Sequence, residues 1–247
     1  MRILGVIPAR LGSTRLPNKP LQLLAGEPLV TRVVERVREH GLVDLLVVAT
    51  ESLEVARVVE RSGVRAIMTD EGHSTGTERV AEVAHRPEFA DYDVVVNIQG
   101  DEPFISREAL LGSLERIRMG DDVGTASAPL DVALVDDPAR VKVVTDLRGR
   151  ALYFSRLPIP YRREPTDSAD GLYWQHLGIY AYTRGALDRW VALPPTDAER
   201  VERLEQLRAL QNGLTIGVAR LSATVLPGVD TPEDLRRAEA HWLVNER

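Results

Sequence analysis

RILGVIP (residues 2–8) runs directly into ARLGSTRLPNKPL (residues 9–21), an apolar stretch of strand length followed by a basic loop, and this junction decides the fold. Arg10, Arg15 and Lys19 are spaced too irregularly for one helix face, and Gly12, Pro17 and Pro20 oppose helix. The segment therefore reads as a loop at the C-terminal end of a strand. Guanidinium groups, an ammonium, backbone N–H groups and the hydroxyls of Ser13 and Thr14 suit polyphosphate oxygens, which accept several charge-assisted bonds at once. Basic loops are often only solvated charge. Here the position argues otherwise, because ligands of open α/β sheets bind outside strand C-terminal ends. The stretch has neither the GxxxxGK[ST] of a Walker loop nor GxGxxG, which weakens P-loop hydrolysis and dinucleotide binding as readings.

Outward from this junction, strand and helix signals alternate. Leu29, Val30, Val33, Val34 and Val37 recur at helical spacing after Pro28, and Gly41 is placed to end that helix. LLVVAT (45–50) reads as a buried strand, Ser52 caps a second helix through Arg61 with Gly63 after it, and VRAIM follows as a strand. VAEVA lies on a third helix leading to the strand VVVNIQ. Repeated wiring of this kind predicts a mostly parallel central sheet with helices on both faces. The later half changes rhythm: VKVVTD and RALYFS flank the turn Asp146 to Gly149 as an antiparallel hairpin, and Pro158 to Asp170 reads as an exposed excursion. HLGIYAYT is expected as a strand, Glu199 to Gln211 as a helix, LTIGVARL as a strand, and a last helix starts at Thr231, Pro232 and Asp234. The whole of 1–247 is expected to form one domain, with about 141–175 as a hairpin-and-loop extension.

Composition narrows the partners. With 247 residues, 44% hydrophobic and 28% charged, the chain can bury a substantial core. A net charge of -6 argues against general nucleic-acid binding, so the phosphate ligand is expected to be small. The absence of cysteine excludes disulfides, thiolate metal sites and cysteine nucleophiles. MRILGVIPAR is too short in its apolar run for a signal peptide and no run reaches transmembrane length, so cytoplasm is the expected compartment and no membrane partner is expected.

Two carboxylates complete the chemistry. NIQGDEP (97–103) places Asp101 just beyond an apolar strand, where a carboxylate can reach a hard divalent cation such as Mg²⁺ or simply bond its own turn. Asp230, in PGVDTPEDL, precedes the capped last helix and suits either a metal or a helix-end role. Beside a polyphosphate loop, the two form a plausible metal pair.

IPARLGSTRLPNKPL, HSTGTERVAEV, VNIQGDEP, LYFSRLPIPY, HLGIYAY, LEQLR and GVDTPEDL together resemble the 3-deoxy-D-manno-octulosonate (Kdo) cytidylyltransferases, and the likeness spans nearly the whole chain. The first motif is shared more loosely with CMP-sialic acid synthetases; HLGIY and LEQLR point to the Kdo enzymes. The resemblance implies a Rossmann-like nucleotidyltransferase fold and the reaction CTP + Kdo → CMP-Kdo + diphosphate, an activation step for lipopolysaccharide. It implies CTP binding by Pro8, Ala9, Arg10, Ser13, Arg15, Lys19, Ser74 and Arg79, with Lys19, Asp101 and Asp230 in the reaction and Asp101 and Asp230 on Mg²⁺. Gln99, Arg156, His176, Tyr180, Glu205 and Gln206 are implied on the sugar side, where a guanidinium suits the sugar carboxylate. Arg79 offers donors to cytosine O2 and N3, and carbonyls near Ala9 or Ser74 suit its amine.

His176 and Tyr180, four apart in a strand, are expected on one face, whereas Glu205 and Gln206 point about 100 degrees apart on a helix. A homodimer is implied, with Val141 to Ser155 and the following excursion as the contact region. Two departures from the related enzymes stand out: Asn18 where glycine is common, tolerable at a left-handed position, and a shorter segment from Tyr161 to Tyr173. Alternatives are the same chemistry on an amino analogue of Kdo or a sialic acid, or a non-catalytic nucleotide-binding protein.

Overall fold

The computed structural model describes residues 1–13, 15–164 and 166–245. Thr14, whose hydroxyl was expected in the phosphate loop, and Pro165 lie outside the described residues. The described chain gathers into two compact units, Met1–Arg107 with Leu226–Arg247, and Glu108–Val225.

The first unit is built from β1 (Ile3–Pro8), the short β2 (Leu23–Leu24) and β3 (Glu27–Pro28), α1 (Leu29–His40), β4 (Leu45–Thr50), α2 (Leu53–Arg61), β5 (Arg65–Met68), α3 (Gly76–Ala84) and β6 (Val94–Asn97). Local chemistry sets the ends of these elements as expected: Ser52 accepts from the N–H groups of Glu54 and Val55, and Gly41 and Gly63 leave their helices at positive φ. β1, β4, β5 and β6 pair in parallel in the order β6-β1-β4-β5. The side chains of β1, β4 and β6 are buried almost without alternation, as strands covered on both faces require, whereas β5 buries only Ile67. The order reverses at β1, with β4 on one side and β6 on the other. Ligands of open α/β sheets bind at such a switch point, beyond the C-terminal ends of the strands, and the basic loop and NIQGDEP both begin at the ends of β1 and β6.

The second unit comprises α4 (Arg107–Arg118, starting at the boundary), β7 (Val123–Pro129), β8 (Lys142–Thr145), β9 (Ala151–Ser155), β10 (Trp174–Thr183), α5 (Arg184–Ala192), α6 (Asp197–Glu202), α7 (Gln206–Gln211) and β11 (Ile216–Arg220). β7 is central, parallel to β11 and antiparallel to β10. Sequence reading passed over β7, because VGTASAP has few large apolar residues; its small side chains are buried all the same. The β8–β9 hairpin forms as expected, with Asp146 Oδ1 accepting from the N–H groups of Arg148 and Arg150 at 2.8 Å each. The helix expected from Glu199 to Gln211 is broken in two. Arg203 adopts a left-handed conformation (φ 54) that ends α6, and α7 restarts at Gln206.

The chain closes in the first unit with α8 (Pro232–Asn245). Thr231 and Asp234 cap it reciprocally, the Thr231 N–H donating to Asp234 Oδ2 at 2.9 Å and the Asp234 N–H to Thr231 Oγ1 at 3.1 Å. Among the described residues no helix is long and apolar enough to cross a membrane.

Candidate active site

Asp101 reaches the basic loop after β1 because glycine lets two backbones approach. Beyond β6, the Ile98 N–H donates to the Val6 carbonyl at 3.0 Å, and Gly100 then lies so close to β1 that a Cβ there would sit 2.8 Å from the Pro8 carbonyl oxygen. Gly228 repeats the device: its Cβ would meet the Asp101 carbonyl oxygen at 3.2 Å, and the neighbouring Val229 N–H donates to that same oxygen at 2.8 Å. Asp230 is thereby stitched beside Asp101. An apolar cluster of Leu16, Leu24, Leu29, Val229 and Ala238 anchors the assembly from below. Leu16 and Val229 are each followed or preceded by a charged residue of the site, so their burial carries Arg15 and Asp230 together.

The result is one compact charge cluster. Lys19 Nζ donates to Asp101 Oδ2 at 2.5 Å and to Asp230 Oδ1 at 2.7 Å, and Arg15 donates to Asp230 Oδ2 at 3.0 Å. Burial by itself would lower the Lys19 pKa; the charge of Asp101 and the hydrogen bonds to both carboxylates outweigh it, and the net shift is upward. The ammonium therefore stays protonated. Sequence reading had separated a cationic loop from an acidic metal pair, and the structure joins Lys19 and Arg15 to that pair. Asn18, at φ 53 and ψ 36, holds the left-handed position expected of it and turns the chain into a short 3₁₀ turn, Lys19–Leu21. Ser13 Oγ accepts from the Leu16 N–H at 3.3 Å, Arg10 is exposed, and Pro8 and Ala9 form the floor at the end of β1.

The donor set fits a hard divalent cation. Among the described residues no group of three or more His, Asp or Glu forms a metal cage. A cation held by Asp101 and Asp230 would draw its remaining ligands from water and phosphate, which is how Mg²⁺ is usually bound. The two carboxylates already converge on one positive charge.

Arg79 is neither a solvated helix charge nor openly displayed. Its side chain is only 4% exposed, pairs with Glu51 Oε2 at 3.0 Å and donates to Thr69 Oγ1. Glu51 Oε1 accepts from the Leu11 N–H at 3.0 Å, so one carboxylate ties α3 to the basic loop after β1. Sequence reading missed Glu51. The available signal was its position, immediately after the strand LLVVAT, a strand end like the one that Asp101 follows four residues after VVVN. Ser74 is exposed, and both its N–H and its hydroxyl turn to Glu78 beside the Thr75 cap.

Gln99 lies half-buried in the first unit beside Gly100. The other residues assigned to the sugar lie in the second unit. Arg156 gives three N–H groups to carbonyls: Nε to Glu202 at 2.7 Å, one terminal nitrogen to Pro138 at 2.8 Å and the other to Arg203 at 3.3 Å. It thus braces the break between α6 and α7 as well as carrying charge. Fully buried Lys142 supports it, donating to the Arg156 carbonyl at 2.5 Å and the Asp137 carbonyl at 3.1 Å.

His176 and Tyr180 meet with ring centroids 5.4 Å apart. In a regular strand, residues four apart are about 13 Å from each other. The register shift between Leu177 and Tyr180 closes that gap, so a bulge, and not plain alternation, brings them together. Burial holds the His176 pKa down at about 3. Thr125 Oγ1 lies 2.7 Å from the Ile179 carbonyl, which can only accept, and 3.0 Å from His176 Nε2. The hydroxyl donates to the carbonyl and accepts a hydrogen bond from Nε2–H, which fixes the neutral tautomer with its proton on Nε2. Glu205 stands at the start of α7, where its Oε1 accepts from the indole N–H of Trp190 at 3.1 Å, and Gln206 is buried.

Comparison with known proteins places this geometry. The family model for cytidylyltransferases matches residues 4–216. A 3-deoxy-manno-octulosonate cytidylyltransferase of Gemmatimonas aurantiaca is 52% identical over 98% of this chain and 95% of its own length. That of Methylococcus capsulatus is 46% identical over 96% and 95%. A solved structure of a CMP:2-keto-3-deoxy-manno-octonic acid synthetase complexed with CTP superposes with a TM-score of 0.92 at 38% identity, over the full length of both chains. A 4-diphosphocytidyl-2C-methyl-D-erythritol synthase from Anaerococcus prevotii, 13% identical with a TM-score of 0.62, shares the fold.

Proposed function

The chain belongs to the cytidylyltransferase family, and from that premise we propose that it is a 3-deoxy-manno-octulosonate cytidylyltransferase. It transfers the cytidylyl group of CTP to Kdo and releases diphosphate, activating the sugar for lipopolysaccharide synthesis. The observation that carries the reading is the junction of Lys19 with Asp101 and Asp230, at 2.5 and 2.7 Å, at the end of the first strand of a chain 52% identical to such an enzyme.

The anomeric hydroxyl of Kdo attacks the α-phosphorus of CTP. A phosphorus–oxygen bond forms, the bond to the bridging oxygen breaks, the hydroxyl gives its proton to water, and diphosphate leaves with the electron pair. Little covalent work falls to side chains in such a transfer; positioning and neutralisation of charge dominate. Arg10, Arg15, Lys19 and Ser13 hold the triphosphate and neutralise the leaving diphosphate. Asp101 and Asp230 would hold Mg²⁺, which when bound polarises phosphate oxygen and lowers the pKa of a coordinated hydroxyl. Pro8, Ala9, Ser74 and Arg79 face the nucleotide, and the pairing of Arg79 with Glu51 and Thr69 supports a base reader of fixed direction. Gln99, Arg156, His176, Tyr180, Glu205 and Gln206 bind the sugar. A neutral His176 supports this, since an uncharged imidazole can bond a sugar hydroxyl.

Use of CTP as substrate supports the cytoplasm as the compartment of the reaction. The enzyme works as a homodimer, a reading supported by the apolar side chains that the hairpin and its following segment expose, among them Leu152, Leu157 and Tyr161.

The test is direct: purified protein with CTP, Kdo and Mg²⁺ is expected to release diphosphate, with CTP favoured over UTP and Kdo over a sialic acid. A folded protein that binds CTP and releases none would overturn the reading.

A further inference from the structure

Trp190, on α5, is 1% exposed, and sequence reading gave it no role. Its ring stands edge-on to two tyrosines, with centroids 5.9 Å from Tyr180 at 75° and 5.5 Å from Tyr182 at 89°. These tyrosines stack on each other at 5.9 Å and 17°, and Tyr180 continues to His176. The other end of the indole meets α7, where Nε1 donates to Glu205 Oε1 at 3.1 Å. An indole has one donor, and a bond to a carboxylate is both stronger and more directional than one between neutral groups.

One buried side chain therefore touches two residues assigned to the sugar, one by ring packing and one by a charge-assisted hydrogen bond. The geometry suits orientation. Glu205 follows the left-handed Arg203 by two positions, at the start of a six-residue helix, so its backbone alone gives the carboxylate little constraint in direction. The indole fixes one of its oxygens. Edge-on packing constrains the plane of Tyr180 in the same way, because aromatic pairs favour edge-to-face or offset-stacked geometry over a face-to-face sandwich.

We propose that Trp190 is a positioning residue of the sugar subsite, aiming the Glu205 carboxylate through its indole N–H and the Tyr180 ring through its edge. The proposal rests on the reading above that Glu205 and Tyr180 bind Kdo. Trp190 itself touches no substrate; it sets how well the subsite fits the sugar and leaves the CTP side untouched.

Trp190→Phe keeps an aromatic ring and deletes the donor. Steady-state assays with CTP, Kdo and Mg²⁺ are expected to show KM for Kdo raised about tenfold, the scale of one hydrogen bond to a charged group, with KM for CTP within about twofold of the wild type. A tryptophan serving structure alone would lower the melting temperature and leave the two KM values in their original ratio. Glu205→Gln made in both backgrounds adds a second readout: its effect on KM for Kdo is expected to be several times smaller when the indole is already gone. A folded Trp190→Phe protein with unchanged KM for Kdo, or fully additive effects, would overturn the proposal.

Should Trp190→Phe fail to fold, the wild-type chain carries the test. Its Trp190 indole ¹H–¹⁵N resonance is expected to shift when Kdo is added beside an α,β-methylene analogue of CTP, and a resonance unmoved at saturating Kdo would overturn the role. Wild-type protein that folds but releases no diphosphate sinks the functional reading. An active wild type with an indifferent Trp190→Phe variant sinks only this inference.

Discussion

Lys19 balances one positive charge against two carboxylates, so each aspartate has a partner before any substrate arrives. Asp101→Ala and Asp230→Ala are each expected to lower turnover by about 10²–10³-fold, the scale of removing one group that stabilises transition-state charge, while thermal melts stay close to wild type. Near-normal diphosphate release by both variants would remove the pair from the reaction. His176 behaves differently, because its burial favours the neutral form and depresses its pKa from 6.5 to about 3. Between those values the unfolded chain binds a proton that the folded chain refuses. Stability from this residue is thus intact above pH 6.5 and is lost progressively as pH falls towards 3, by up to about 1.4 kcal/mol per pH unit. Denaturant unfolding at a series of pH values from 7.5 to 4.5 should show a shallower acid slope for His176→Gln than for wild type; equal slopes would refute the burial argument. Legibility at this scale varied with the kind of contact. Lys19, Asp101 and Asp230 were readable because cationic loops and strand-end carboxylates leave a local mark. Glu51 and Trp190 were not, since a lone glutamate after a strand and a tryptophan in a helix carry no mark until their partners are seen.

Two glycines show how elements are brought close enough to make the site and its support. At Gly100 the loop after β6 presses on the end of β1, and the Cβ of Gly100→Ala would meet the Pro8 carbonyl oxygen at 2.8 Å. The expected outcome is a displaced Asp101, with kcat/KM for CTP reduced and circular dichroism unchanged; full activity would show that the close approach is dispensable. At Gly124, β7 packs on α4 so tightly that an added Cβ would lie 1.9 Å from the Ser113 carbonyl oxygen. Gly124→Ala should cost about 3 kcal/mol of stability through overpacking, measured by urea unfolding, and a midpoint equal to wild type would contradict the packing. The elements themselves were largely legible. Ser52, Gly41, Gly63 and the Thr231 cap act through neighbours a few residues away, which is why the helices they bound were readable. β7 was hidden because its burial comes from small side chains fitting a close-packed helix, a reason that appears only when α4 is in place. The single helix expected from Glu199 to Gln211 failed because Arg203 turns left-handed, braced by Arg156 from 47 residues away.

At the scale of the whole molecule, the β8–β9 hairpin and the segment after it expose Leu147, Leu152, Leu157 and Tyr161, with Tyr161 84% exposed. Apolar surface of this kind is expected to be covered by a second copy of the chain. Sedimentation velocity should give a dimer at micromolar concentration, and Leu157→Asp should shift it towards monomer; a wild-type monomer would refute the assembly. By itself, the sequence determined the alternation of strands and helices, the caps, the hairpin and the chemistry waiting at the strand ends. These follow from hydropathy period and side-chain reach over a few residues, which any stretch of chain carries within it. Only the tertiary structure decided that Lys19 meets Asp101 across 82 positions and Asp230 across 211, that Arg79 turns inward to Glu51, and that a bulge brings His176 to Tyr180. Such partners are chosen by which backbones can approach and which side chains lose water together, and neither condition exists until the chain has folded.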